Sequence, residues 1–382
     1  MGSQSNGCPF FSQDRMPDHA TSRIMPTIKR ALFIANRISG TGHGSALLEK
    51  LSETLKRGLG AATSLEVECV DNHASARSIA SAFLNSESAP ALIVAGGGGG
   101  TLRAVVEGVC DGCTAGLLPT AERVRIGALR MGSGNVLAKQ FGVPRDPVLG
   151  LDGLLNSVNA DRIVPCCVMR CDAAQHDGGT AVFHAATLGG FGQFGRVPGD
   201  LARWHHRLPL LRNFGAWLLG VERLTNVEYA LALLLRSIWS ALRPGSLETI
   251  DVRVDGGEPV AMKLLAGALL NFKLGALPFE PGITAQDAAL SLNLIPFIRR
   301  LDALALVFSP RKIAHGALTI RIDPPHAVEL RLTNREHAEF FLDEDPQTFY
   351  GSLKLSVAGT LAFVPGPDYV LPQIPKTTDA AT

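Results

Sequence analysis

Residues 91–106, Ala-Leu-Ile-Val-Ala-Gly-Gly-Gly-Gly-Gly-Thr-Leu-Arg-Ala-Val-Val, leave few folds open. Five apolar residues run into five glycines, and Leu102, Val105, Val106 and Val109 then recur at helical spacing, which predicts strand, glycine loop, helix. A tight turn needs one or two glycines, not five. A run of them lets backbone N–H groups close around a polyphosphate, and a helix starting near Thr101 adds unpaired donors and the positive end of its dipole. Two familiar phosphate loops are excluded. No Lys-Ser or Lys-Thr follows, as a Walker A loop requires, and Thr101 stands where the last glycine of a dinucleotide fingerprint beginning at Gly96 belongs.

Similar units flank this one. The apolar run 31–35 enters the glycine-bearing segment 36–44, after which Leu47, Leu48, Leu51 and Leu55 mark a helix face. Leu65, Val67 and Cys69 alternate as a strand, and Ile79 and Phe83 sit on the helix expected next. Residues 126–129 make a short strand entering the loop 130–135, ahead of a helix carrying Val136, Leu137 and Phe141. Strands alternating with helices predict an α/β, doubly wound, Rossmann-like domain over residues 25–158. Its three glycine loops converge at the carboxyl edge of a parallel sheet, where they make a nucleotide site.

Beyond residue 159 the pattern changes. Leu290, Leu292 and Leu294, then Leu318, Ile320 and Ile322, then Val328, Leu330 and Leu332, and finally Leu353, Leu355 and Val357 alternate with polar residues. This predicts a β-rich antiparallel domain with one wet face over residues 159–365. Residues 200–243 interrupt it with a Leu-rich helical pattern containing Trp204, Trp217 and Trp239, which suits a domain contact or a lipid-facing surface. Residues 1–24 are polar and mixed and read as a disordered leader, and the Pro-rich residues 366–382 as a tail. The net charge of +1 argues against a nucleic-acid binder working by bulk electrostatics. No run of eighteen uncharged apolar residues offers a membrane span. Seven cysteines without a disulfide framework, one pair of them a lone Cys110-x-x-Cys113, suit a reducing cytoplasm.

Taken in order, Asn36, Ser39 and Gly40, then Gly97, Gly98, Gly100 and Thr101, then Gly132, Ser133, Gly134 and Asn135, make a chain that resembles the diacylglycerol kinase catalytic-domain family. That family includes bacterial lipid kinases, sphingosine kinases and ceramide kinases. The resemblance continues into the second half, where residues 287–290, Asp-Ala-Ala-Leu, are similar to the family's Asp-Gly-x-Leu, and residues 342–346, Leu-Asp-Glu-Asp-Pro, to its Leu-Asp-Gly-Glu-Pro.

The resemblance implies two domains with an active site in the cleft between them, ATP and magnesium as cofactors, and transfer of phosphate to the hydroxyl of a lipid met at the membrane surface. Asn36, Ser39, Gly40 and Thr101 would hold phosphates, and residues 132–135 would border the nucleoside. Asp345 would be the base, with Asp287 and Asp343 in the metal network. The chain departs from the family where Gly99 replaces the aspartate of Gly-Gly-Asp-Gly-Thr, and where Glu344 replaces a glycine and Asp345 a glutamate. Restoring the carboxylate by Gly99→Asp is then expected to raise activity, unless Glu344 compensates. Two other readings stay open: a nucleotide- or lipid-binding pseudokinase, and an enzyme like NAD kinase, which shares the glycine–threonine loop.

Overall fold

A computed structural model describes residues 27–37, 44–113, 118–132, 135–207, 225–274, 277–279, 281–314 and 316–370. The expected leader and the tail residues 371–382 lie outside them. The first half alternates strands and helices: β1 (Arg30–Asn36), α1 (Ser45–Leu59), β2 (Ser64–Val70), α2 (His73–Ser86), β3 (Ala91–Gly97), α3 (Gly99–Asp111), β4 (Val124–Arg130), α4 (Val136–Gln140) and α5 (Pro147–Asn159). Its strands pair in parallel in the order β4-β3-β1-β2. Helices α1 and α5 pack together, as do α2 and α3, so the central strands β1, β3 and β4 are buried almost throughout. That is why they read as unbroken apolar runs, while the edge strand β2 keeps Glu66 and Glu68 in water.

The second half is antiparallel apart from its junction with the first. It comprises β5 (Val164–Ala174), β6 (Thr180–Ala185), β7 (Leu188–Phe191), α6 (Gly192–Gly195), α7 (Val197–Arg207), α8 (Thr225–Leu242), β8 (Glu248–Val254), β9 (Val260–Leu270), β10 (Leu290–Pro296), α9 (Arg300–Phe308), α10 (Pro310–Ala314), β11 (Leu318–Ile322), β12 (Ala327–Leu332), β13 (His337–Leu342), β14 (Asp345–Tyr350) and β15 (Ser352–Phe363). Strand β15 pairs with β12 and β5, and its last residues, Ala362 and Phe363, run parallel to Arg125 and Ile126 of β4. One strand therefore joins both halves into a continuous sheet.

Two expectations need correction. A single wet face fails for β10, whose Ser291 and Asn293 are as buried as its leucines. They are tolerated because they satisfy one another: Asn293 donates to Ser291 Oγ at 3.1 Å, and Thr319 Oγ1 donates to Asn293 at 3.1 Å. The start of the Pro-rich segment is also part of the core. The Gly366 amide donates to the Phe141 carbonyl at 2.7 Å, and the Tyr369 ring, 9% exposed, meets Phe141 edge-on at 5.4 Å. The helical insert is described as α7 and α8, and Trp217 falls outside the described residues. Trp204 packs with Val197, Leu201, Tyr229 and Ala232, whereas Trp239 is 44% exposed. No helix among the described residues is long and apolar enough to cross a membrane.

Candidate active site

The carboxyl ends of β1, β3 and β4 lie side by side in the parallel sheet, and the described residues that follow them come together there. Gly98 is the N-cap of α3 in extended backbone, and the amides of Gly99 and Gly100, first in the helix, have no intrahelical acceptor. Asn36 at the end of β1 donates to Thr101 Oγ1 at 3.1 Å, fixing the hydroxyl over that helix end. A Cβ on Gly132 would stand 2.1 Å from the Cα of Gly98, so the β4–α4 loop approaches the glycine loop as only glycine allows. Asn135, in the left-handed region at φ 52°, accepts from the Gly132 amide at 3.1 Å and donates back to its carbonyl, so its side chain closes its own loop. Ser39, Gly40, Ser133 and Gly134 lie outside the described residues.

The turn between β13 and β14 brings the acids to this loop. Asp343 and Glu344 both take positive φ, 46° and 74°. Asp343 is buried and accepts from the amides of Ala186, Thr187 and Leu188 at 2.9–3.0 Å. Burial raises its carboxyl above the usual range, and the three amides oppose that shift. Glu344 borders a narrow pocket walled by Leu102, Leu129, Val136 and Leu188. Burial there, reinforced by neighbouring Asp343, pushes its carboxyl up to about 7.

These positions change the meaning of Gly99. A Cβ there would stand 2.9 Å from the Asp343 carbonyl oxygen and 3.8 Å from Glu344 Oε2. The acidic turn rests on the glycine, and the Glu344 carboxylate already occupies the neighbourhood that an aspartate at position 99 would enter. Gly99→Asp would displace backbone, so the rescue expected from the sequence is withdrawn.

Asp345 lies on the polar side of the same loop, in a cleft of about 280 Å3 lined by Asn36, Asp71, Asn72, His73, Gly98, Gly100 and Thr101. Its Oδ2 is taken by Arg103 at 2.6 Å and by Gln347 at 3.0 Å, which suits an anchor better than a free base. Arg103 in turn meets His73 at 3.2–3.3 Å, and both approach the wholly buried Glu107. Burial and the Arg103 charge lower His73 to about 4, leaving it neutral at pH 7. Sequence reasoning missed Asp71, Asn72, His73, Arg103 and Glu107. The signal available was an i,i+4 Arg–Glu pair inside an otherwise apolar helix.

The two acids expected in the metal network have partners within the chain. Both oxygens of Asp343 are held by backbone amides, and one oxygen of Asp287 accepts from the amide and hydroxyl of Thr284 at 2.6 and 2.9 Å. Among the described residues no three His, Cys, Asp or Glu side chains are grouped to hold an ion. What the arrangement offers is a positive helix end with free amides, a hydroxyl, and one carboxylate on each side of the loop.

Comparison with known proteins bears on this geometry. Residues 30–165 match the family model described as diacylglycerol kinase catalytic domain. No curated protein matches the chain by sequence. Among solved structures, a diacylglycerol kinase from Bacillus anthracis str. Sterne superposes with a TM-score of 0.54 at 13% identity, covering 90% of this chain and 98% of its own. Yeast NADH kinase complexed with NADH gives 0.47 at 11% identity, covering 88% and 83%. The NAD kinase of Archaeoglobus fulgidus in complex with ATP gives 0.42 at 12% identity, covering 88% and 94%. At such identities the structural likeness speaks for the fold alone. The family match adds the sequence: residues 30–165 are similar to the diacylglycerol kinase catalytic domain, and the chain takes a fold like that of the Bacillus anthracis structure.

Proposed function

We propose that this chain transfers the γ-phosphate of ATP to the hydroxyl of a lipid, of the diacylglycerol or long-chain-base type, with Glu344 as the base. The observation that carries the reading is the Glu344 carboxylate beside Gly99, at the amino end of α3. The Gly99 and Gly100 amides and the Thr101 hydroxyl are suited to phosphate oxygens. A carboxyl pushed up to about 7 is matched to accepting a proton from an alcohol near neutral pH. Asp345, tied to Arg103, holds the turn in place.

Magnesium fits this donor set as an ion that comes with the nucleotide. It is usually held by substrate phosphates, water and one or two carboxylates rather than by an all-protein cage. Glu344 and Asp345 flank the loop where phosphates would lie, and magnesium bound there would neutralise charge on the transferring group. The protein itself then contributes binding, orientation and proton acceptance.

Thermal shift with ATP, ADP and NAD, each with and without magnesium, followed by transfer of labelled phosphate to diacylglycerol, sphingosine or NAD, tests the reading. Stabilisation by ATP with transfer to a lipid is expected. Transfer to NAD alone would favour the NAD kinase-like enzyme, and ATP binding without transfer to any acceptor the pseudokinase.

A further inference from the structure

Helix α8 begins beside the active site and ends in solvent. Tyr229 in its first turns is close enough to Glu344 for that carboxylate to raise its hydroxyl's pKa, after burial has done most of the raising. The inner face is seated by Ala232 on Val197 and Leu201, and Arg236 pairs with Asp200 at 2.5 Å. The outer face is not polar. Leu231, Leu235, Ile238 and Leu242, spaced i, i+4, i+7, i+11, are exposed, with Trp239 beside them. Helix α9 packs along α8 and adds Ile298, 75% exposed just before its start, then Leu301 at 72% and Phe308 at 71%. Isolated exposed apolar side chains need no explanation, but a double-helix patch does.

Cations frame it. Arg243 lies over the Trp239 ring at 4.3 Å, and Arg300, Arg311 and Lys312 are exposed at the ends of α9 and on α10. The acids nearby are outnumbered: Asp302 stands alone in residues 298–314 against Arg299, Arg300, Arg311 and Lys312, and Asp200 pairs with Arg236 and Arg203. From this apolar patch with its basic frame we infer that the α8–α9 face docks on an anionic bilayer, its leucines and phenylalanine entering the acyl boundary and its cations meeting lipid phosphates. This arrangement is that of an interfacial helix pair. Close pairing of two copies through the same face would set these cations against one another. The inference rests on the lipid-acceptor reading only for its purpose, since docking needs no turnover. It narrows the expected contact from residues 200–243 to α8 and extends it to α9, and the net charge of +1 understates the attraction, because the positive side chains are gathered locally.

The full chain should be sedimented with vesicles of phosphatidylcholine alone and with about one third phosphatidylserine. Binding to the anionic vesicles is expected, weakening as salt rises. Leu301→Ser with Phe308→Ser should reduce it by at least about tenfold, and Arg300→Glu with Lys312→Glu should remove the preference for phosphatidylserine. Both variants should keep the wild-type melting temperature, since these side chains are exposed. Wild-type protein that ignores both vesicles, or variants that bind as wild type does, would overturn the inference. So would a dimer on size exclusion that Leu301→Ser dissolves. Vesicle binding without phosphate transfer to any lipid would leave the docking face standing and remove the kinase reading.

Discussion

At Glu344 the same burial that suits the carboxyl to the proposed role of base makes it a stability liability. Its carboxyl is raised from an ordinary 4.5 to about 7, so its contribution to stability is full below about pH 4.5 and is lost as pH rises through about 7. Glu344→Gln should therefore stabilise the fold by about 1–2 kcal/mol at pH 8, allowing for partial exposure, and by little at pH 5. Melting curves at the two pH values check this. His184 works in the opposite sense. Burial lowers it to about 4 from an ordinary 6.5, so its contribution is full above about 6.5 and falls away as pH drops through about 4. His184→Gln should flatten the loss of stability across that interval, which amounts to up to about 3 kcal/mol. Gly99→Ala places only a methyl against the Asp343 carbonyl, yet should cost about 1–3 kcal/mol and leave activity no higher than wild type. Urea titration and the transfer assay read the two effects.

Helix α3 is where site and scaffold are one element. Its amino end supplies the glycine amides, and its buried flank carries Arg103 and Glu107 to the second half of the protein, where Arg103 pairs with Asp345 and Glu107 accepts from the His184 amide at 3.2 Å. Glu107 also takes Arg77 at 3.0 Å, while Arg77 keeps Asp111 and Arg103 keeps Asp345 as second partners, so Glu107→Ala should destabilise by about 1–3 kcal/mol, mainly by leaving buried donors unsatisfied, whereas Glu107→Gln should cost less. Equilibrium unfolding of the two variants separates charge from shape. The helix itself was legible, because Leu102, Val105, Val106 and Val109 keep its period. Its polar network was not, because His73 and Asp345 reach it from another helix and from a distant strand, and periodicity records which side chains are buried but not which ones meet. That Asn36 and Thr101 lie together at the amino end of α3 was legible because each closes a strand-to-helix junction of the same sheet edge. The partners of Asp343 were not legible for the converse reason: they are amides of residues 186–188, far away in sequence.

The two halves were legible as textures, parallel then antiparallel, but the strand joining them was not. Nothing in the alternation of Leu353, Leu355 and Val357 says that β15 runs on to pair with β4, or that Tyr369 is buried against Phe141. Because the seam is shared, the protein should unfold in one transition, and truncation after Val364 should lower its stability by about 3 kcal/mol or more through loss of the buried Tyr369. Denaturant curves followed by tryptophan fluorescence and by circular dichroism should then shift together. The glycine loop of the first half lies against Glu344 of the second, and in the function proposed above the two form a single site. The pH dependence of labelled phosphate transfer from magnesium–ATP to a lipid hydroxyl, measured for wild type and Glu344→Gln, tests that claim most directly. Transfer should rise with pH through about 7 in wild type and fall by about a hundred- to ten-thousand-fold in Glu344→Gln, while ATP still stabilises both proteins. Equal transfer by the two proteins, with the same pH dependence, would contradict it.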